Sequence, residues 1–133
     1  DTVNGVIHFE LPGVLGGVAM RDIRLKWQDG QLVSASAASN EDYLLRILRT
    51  DDGASRLGEF AFGLNRCINR FCGDILYDEK IGGTVHVALG RAYADCGGLN
   101  QSSIHWDLVK DLRAGGVVLI DDRPVLQNGK LLI

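Results

Sequence analysis

The sequence predicts an α+β fold, mainly antiparallel β-sheet with one or two packed helices. Short runs of apolar and β-branched residues recur along the 133-residue chain, separated by turns rich in Gly, Asp and Asn. Helical spacing of apolar residues is clear in the segment that follows Asn40. Strands therefore dominate, and the helical part is expected to pack on them.

Three strands are predicted before the helix. Residues 3–10 are apolar and rich in β-formers. Residues 23–27 alternate apolar and polar side chains, as a half-buried strand does. The Asp29-Gly30 pair then supplies a tight turn into residues 32–35. We expect the second and third of these strands to form a hairpin.

The predicted helix begins at Asn40, with Glu41 and Asp42 in its first turn, where acidic side chains favour the helix dipole. It is expected to run to about Thr50 and to end at residues 51–53, which include a glycine. One apolar face is formed by Tyr43, Leu44, Ile47 and Leu48.

The second half of the chain is predicted to contain more strands. Three of them are residues 56–62, 84–89 and 103–109. Residues 76–84 look like a turn-like acidic segment that leads into the second of these. Residues 116–133 indicate a further hairpin, which turns at residues 121–124 and again near Asn128-Gly129.

Composition favours one compact domain over residues 1–133, since 46% of the residues are apolar and no linker or repeat interrupts them. The net charge is −3, with acidic and basic residues interspersed, which argues against nucleic-acid binding. No apolar run approaches the roughly 20 residues of a membrane span. We expect neither a nucleic acid nor a membrane as partner.

The three cysteines, Cys67, Cys72 and Cys96, are odd in number and form no C-x-x-C pair. They are interpreted as free thiols of a reducing compartment, so we expect a cytoplasmic protein. A structural zinc site through Cys67 and Cys72 is the alternative, which the lack of a second pair disfavours.

His105 and Asp107 are two residues apart in a predicted strand, so their side chains should project to one face. The other face then receives the apolar side chains of Ile104, Trp106 and Leu108. An imidazole beside a carboxylate suits zinc, cobalt or manganese. The structural alternative is a core histidine bonded to a neighbouring aspartate.

Two carboxylates lie upstream. Glu59 is set into an apolar run, where a buried glutamate is costly unless it is paired, protonated or metal-bound. It could equally face water from an edge strand. Glu79 lies in the acidic turn-like segment, where such residues are usually solvated. These two carboxylates, with His86 in the strand 84–89 and with His105 and Asp107, have the composition of a metal site.

Five motifs carry a resemblance: L-G-E at 57–59, L-Y-D-E-K-I-G-G-T-V-H-V-A-L-G at 76–90, A-Y at 92–93, G-L-N-Q-S-S-I-H-W-D at 98–107, and the terminal N-G-K-L-L-I. In order and approximate spacing they resemble the C-terminal part of the thermophilic aminopeptidases, the M29 metallopeptidase family. The resemblance implies two divalent ions, zinc or cobalt with manganese also compatible, bound by Glu59, Glu79, His86, His105 and Asp107.

The same resemblance implies a metallo-aminopeptidase that acts on peptides with a free N-terminus and forms a homodimer. Tyr93 matches the active-site tyrosine of the family, and Glu59 is expected to be a catalytic carboxylate as well as a ligand. A dinuclear centre would activate a water molecule to attack the first peptide carbonyl.

Two departures from the family pattern stand out. Between Tyr93 and His105 the chain is shorter than in many members, so the rim of the substrate site is expected to differ. A further metal-binding glutamate and the N-terminal domain of the family precede the part matched by this chain. We therefore expect a fragment, the C-terminal catalytic region. A metal-free β-rich scaffold or interaction module derived from the family is the alternative.

Overall fold

The computed structural model describes residues 2–132, so the two end residues of the predicted 1–133 domain lie outside the description. The strands are β1 Gly5–Phe9, β2 Gly13–Leu15, β3 Val18–Met20, β4 Ile23–Gln28, β5 Gln31–Ser36, β6 Leu57–Gly63, β7 Thr84–Gly90, β8 His105–Asp111, β9 Val117–Ile120, β10 Arg123–Gln127 and β11 Lys130–Leu131. The helices are α1 Glu41–Ile47 and α2 Ile75–Asp78, and Ala94–Cys96 form a 3-10 turn.

These strands form three sheets of three strands and one two-stranded hairpin. The orders are β1-β4-β5, β6-β7-β8, β11-β10-β9 and β2-β3. Every paired strand in them is antiparallel. The predicted α+β fold, mainly antiparallel sheet with packed helices, is confirmed.

The first sheet confirms the predicted hairpin. Asp29 and Gly30 have φ angles of 50° and 75° and join β4 to β5 as a two-residue turn. Along β4, Ile23, Leu25 and Trp27 are buried while the residues between them are exposed. His8 lies in β1, where its Nε2 atom is 3.3 Å from Asp22 Oδ1.

Helix α1 begins after Asn40 as predicted, but it ends at Ile47 rather than near Thr50. The reason is a change in hydrogen bonding, because Arg49 and Thr50 donate to carbonyls three residues back instead of four. Asn40 has a φ of 54° and its side chain donates to Ala19 O at 2.7 Å rather than capping the helix.

The second sheet, β6-β7-β8, has the hydrophobic core on one face and predicted ligand residues on the other. Its core face carries Val87, Leu89, Trp106 and Leu108, which pack against β4 and α1. Ile104 is half-buried against the same cluster. The predicted apolar packing of residues 104, 106 and 108 is therefore confirmed. The opposite face, called here the metal-centre face, carries His86, His105 and Asp107.

The C-terminal hairpin turns twice where predicted. Asp121 and Asp122, with φ angles of 50° and 62°, connect β9 to β10. Asn128 and Gly129, at 49° and 72°, connect β10 to β11. Side chains at such positions must tolerate left-handed backbone, which favours Asp, Asn and Gly.

Besides the end of α1, two features differ from the prediction. The β2-β3 hairpin, which turns at Gly16 and Gly17, is too short to give a strand pattern in the sequence. The acidic segment 76–84, predicted as turn-like, overlaps the one-turn helix α2, which is capped by Asp74 accepting a bond from Leu76 N at 3.0 Å. Within residues 2–132, no helix is long and apolar enough to cross a membrane.

Candidate metal centre

Strand register brings the predicted ligands of the second sheet together. Ala88 of β7 pairs with Glu59 on one side and with Asp107 on the other. His86 and His105 are each two residues from this row, so their side chains share its face. The small Ala88 side chain leaves space between the two carboxylates. Four of the five predicted ligands thus lie on the metal-centre face.

Glu59 reaches this face because of a β-bulge. Leu57 pairs with Leu89, but after a register shift Glu59 pairs with Ala88 instead of Val87. A regular ladder would have turned Glu59 toward the core, because a shift of one residue reverses the face. The bulge depends on Gly58, where a Cβ would lie 2.4 Å from Gly90 O. An isolated glycine inside a strand is the sequence signal for such a bulge, and it was missed.

Glu59 lies between the two imidazoles. Its Oε1 atom is 3.2 Å from His86 Nε2, and its Oε2 atom is 3.4 Å from His105 Nε2. His105 Nε2 is also 3.5 Å from Asp107 Oδ2. These distances gather nitrogen and carboxylate oxygen atoms into one cluster, as a metal site requires.

The tautomer of His105 follows from its other nitrogen. His105 Nδ1 lies 2.7 Å from the carbonyl oxygen of Arg91, which can only accept a hydrogen bond. Nδ1 therefore carries the proton, and Nε2 faces two carboxylates with its lone pair. A carbonyl that fixes the ring in this way is typical of metal-binding histidines. The lone pair of Nε2 is therefore available to a metal ion.

The fifth predicted ligand, Glu79, comes from the end of α2. Glu79, His86 and Asp107 place ligand atoms within 4.8 Å of one another, and so do Glu59, His105 and Asp107. The two groups of three share Asp107, so a carboxylate lies between two candidate cation positions. Glu79 also accepts a hydrogen bond from Lys80, which raises the pKa of Lys80.

Two buried polar atoms test whether a divalent ion fits these residues. Among the described residues, His86 Nδ1 and Asp107 Oδ1 have no hydrogen-bond partner. Burial raises the pKa of Asp107, and the neighbouring carboxylates of Glu59 and Glu79 act in the same direction. Buried polar atoms without a partner and crowded carboxylates are costly without a cation. The donor set therefore fits divalent metal, and the ligand roles stay predictions.

Tyr93 lies at the rim of this cluster. It precedes the 3-10 turn Ala94–Cys96, and its ring centroid is 4.8 Å from that of His105. The side chain is 53% exposed, so the phenol is accessible to a bound substrate. The structure thus places the predicted catalytic tyrosine beside the predicted ligands.

Sequence reasoning missed a carboxylate that holds the start of β8. Asp51 Oδ2 accepts hydrogen bonds from Ser103 N at 2.8 Å and Ser103 Oγ at 2.7 Å, and Oδ1 accepts from Ser102 Oγ at 2.8 Å. The bonds from Ser103 and Ser102 lower the pKa of Asp51 to about 2. The sequence places Asp51 only at the end of a helix, and nothing local indicates a contact with residues so distant in sequence.

Comparison with known proteins identifies the family of this chain. The family model described as thermophilic metalloprotease (M29) matches residues 1–130. The chain belongs to the M29 family. The resemblance to the C-terminal part of M29 aminopeptidases is confirmed, and the family description implies a divalent metal.

Named relatives are all aminopeptidases. Aminopeptidase 2 of Geobacillus stearothermophilus is 32% identical over 97% of this chain, and aminopeptidase AmpS of Bacillus subtilis is 30% identical over 97%. The solved structure of wild-type AmpT from Thermus thermophilus aligns with 98% of the chain at a TM-score of 0.79 and 27% identity. The chain spans 36% of the length of each of these three M29 proteins.

Proposed function

We propose that this chain carries the dinuclear metal centre of an aminopeptidase that removes the N-terminal residue of peptides. The observation that carries the proposal is the pair of ligand groups that share Asp107. Glu59, Glu79, His86 and His105 supply the remaining donors. Zinc or cobalt suits this mixture of imidazole and carboxylate, and manganese is also compatible.

Each residue has a chemical task in this proposal. Bound divalent ions lower the pKa of water toward neutrality and polarise the substrate carbonyl. Glu59, whose side chain is 23% exposed, can take the proton of the attacking water and pass it to the leaving amine. Tyr93 can donate a hydrogen bond to the developing oxyanion. The Arg91 carbonyl keeps the Nε2 lone pair of His105 directed at the centre.

The proposal extends to the whole protein. Residues 1–133 form one domain, the C-terminal catalytic region of an M29 aminopeptidase, which acts in the cytoplasm as a homodimer on peptides with a free N-terminus. The names of the relatives and the match over nearly the whole chain support the aminopeptidase assignment, whereas the homodimer and the cytoplasmic location stay predictions.

Metal stoichiometry tests the centre directly. The purified chain is stripped with chelator, dialysed against zinc or cobalt, and analysed for bound ions. We expect two ions per chain, because two ligand groups are present. A chain that stays folded and binds none would refute the centre.

The second candidate is a metal-free scaffold or interaction module. It is favoured by the ion pair between Lys80 and Glu79, which neutralises one carboxylate of the cluster without a metal ion. The Glu59→Gln variant separates the candidates. If ions bind, the substitution lowers the melting temperature in metal-containing buffer. If the cluster is metal-free, the melting temperature stays unchanged or rises, because removal of a carboxylate relieves repulsion. The chelator-treated variant is the control.

A further inference from the structure

Helix α2 is buried in the reverse of the usual order. Its apolar residues Ile75, Leu76 and Tyr77 are 37%, 69% and 59% exposed, whereas its last residue, Asp78, is 1% exposed. Asp78 is the one buried residue among the four of this helix, all of which the structure describes. Short helices are normally held in place by packing of an apolar face. Here a carboxylate is the part of the helix that enters the protein interior.

Both oxygens of the Asp78 carboxylate bind the loop that precedes the helix. Oδ1 accepts hydrogen bonds from Cys72 N at 2.8 Å and from Cys72 Sγ at 3.3 Å. Oδ2 accepts a hydrogen bond from Gly73 N at 2.8 Å. Both oxygens are therefore acceptors, as in the ionised form. These bonds close residues 72–78 into a ring and fix the end of α2 against the loop before it.

The buried carboxylate of Asp78 has neutral hydrogen-bond donors but no cationic one. Within residues 2–132 its oxygens take part in no ion pair with Lys, Arg or His. A buried charge without a counter-ion is costly, even when it is hydrogen-bonded. Asp78 lines the same cavity as Asp107, which belongs to both candidate ligand groups. The divalent ions of the proposed centre would therefore bring positive charge to the cavity that Asp78 lines.

Glu79, the predicted ligand, is the residue that follows Asp78 in the chain. Its side chain is 20% exposed. On its C-terminal side the chain is held by Ile81, which is 0% exposed, and by a hydrogen bond from Asn65 N to Lys80 O at 2.9 Å. On its N-terminal side the attachment is the ring closed by Asp78. Glu79 therefore lies between two fixed points, and loss of either one would let its side chain move.

We propose that Asp78 is a positioning residue, which anchors α2 and thereby holds the carboxylate of Glu79 at the metal centre. The inference rests on the proposed function, in which Glu79 binds an ion together with His86 and Asp107. Asp78 itself binds neither ion nor substrate and acts only through Glu79. Without the anchor, an ion would first have to order the Glu79 side chain, so its affinity would fall.

The first test compares zinc binding by the unmodified chain and by the Asp78→Asn variant, with ion content and affinity measured on both. An asparagine side chain has one acceptor oxygen, and its amide group cannot accept from the second backbone N–H. We expect the ion held by Glu79 to bind at least about tenfold more weakly, the usual effect of removing a group that orients a ligand. The ion held by Glu59 and His105 should keep its affinity. Equal affinities for both ions in the two proteins would overturn the proposal.

The matched control is the Asp74→Asn variant. Asp74 caps the same helix and lines the same cavity as Asp78. Asparagine is an equally good cap, so this substitution removes one negative charge from the cavity wall and leaves the Asp78 ring intact. We expect it to keep the zinc affinity of the unmodified chain. A loss as large as that in Asp78→Asn would mean that charge alone attracts the ion, and it would contradict the positioning role.

A double-mutant cycle shows whether Asp78 acts through Glu79. In a Glu79→Gln background the Asp78→Asn substitution should cause no further loss of zinc affinity, because no ligand is left to be positioned. An equal loss in both backgrounds would refute the proposal. A merely structural Asp78 would lower the melting temperature in both backgrounds and leave the ion affinities unchanged.

If Asp78→Asn fails to fold, hydrogen exchange of the unmodified chain supplies the test. Zinc should slow exchange at the amides of Cys72 and Gly73, because coupling between the ion and the anchor is reciprocal. The Arg113 amide, which donates to Asp111 Oδ1 at 2.9 Å, is the control and should not change. Unchanged exchange at Cys72 and Gly73 in a zinc-loaded chain would overturn the positioning role.

The two proposals fail in distinguishable ways. A folded chain that binds no zinc refutes the metal centre and, with it, the role of Asp78. A chain that binds two ions, with equal affinities in the Asp78→Asn variant, refutes the positioning role alone and leaves the metal centre supported.

Discussion

The two faces of the β6-β7-β8 sheet are built from alternate residues of the same strands, yet they differ in polarity, packing and hydrogen bonding. The core face carries Val87, Leu89 and Trp106, which are at most 2% exposed and packed. The metal-centre face carries His86 and Asp107, each with a buried polar atom that lacks a hydrogen-bond partner within residues 2–132. The core face therefore stabilises the fold, whereas the metal-centre face lowers its stability unless a cation is bound.

The largest effect is expected on the core face. Trp106→Ala removes a side chain that is 2% exposed and whose Nε1 donates to Val14 O at 3.1 Å. We expect the free energy of unfolding to fall by about 3–5 kcal/mol, the usual cost of truncating a buried tryptophan. Denaturant unfolding monitored by circular dichroism measures it. A loss below about 1 kcal/mol would show that this face does not hold the fold together.

The next largest effect is expected at Tyr93, at the rim of the metal-centre face, and it concerns the reaction rate and not the stability. Tyr93→Phe in the metal-loaded enzyme should lower kcat by about 100-fold or more, the usual loss when one oxyanion donor is removed. The melting temperature should stay unchanged, because the side chain is half exposed. An unchanged kcat would remove Tyr93 from the mechanism.

The bulge at Gly58 turns Glu59 from the core face to the metal-centre face, and the Gly58→Ala substitution tests this role. The new Cβ would meet Gly90 O at 2.4 Å and Arg91 O at 2.7 Å. We expect a loss of about 1–3 kcal/mol in the free energy of unfolding, as for other overpacked sites. Because Glu59 is then displaced, bound ions per chain should fall as well. A variant that keeps its full metal content would show that the bulge does not position Glu59.

The smallest effect is expected at Asp51, which holds the start of β8. Its pKa is lowered to about 2 from the ordinary 3.8, first of all by the hydrogen bond from Ser103 N. Its stabilising contribution is therefore fully present above pH 3.8 and is lost as pH falls through about 2. Asp51→Asn should lower the melting temperature at pH 7, and the difference from the unmodified chain should shrink between pH 4 and pH 2. A difference that is constant with pH would contradict this assignment.

Much of the fold and part of the site could be predicted from local sequence. The Asp29-Gly30 hairpin and the C-terminal turns follow from backbone conformations that only a few residue types tolerate. Helix α1 follows from the spacing of its apolar residues and from the acidic residues of its first turn. The end of α1 and helix α2 were not predicted, since short helical turns depend on capping and tertiary contacts rather than on apolar periodicity.

The sequence by itself determined that His105 and Asp107 share a face, because the strand period of two is a local property. Only the tertiary structure decided that Glu59 faces them, since this depends on a bulge in the pairing with β7. Glu79 joins His86 and Asp107 only through the path of the chain between β6 and β7. The physical reason is that register and chain path depend on contacts between residues far apart in sequence, which no local pattern encodes.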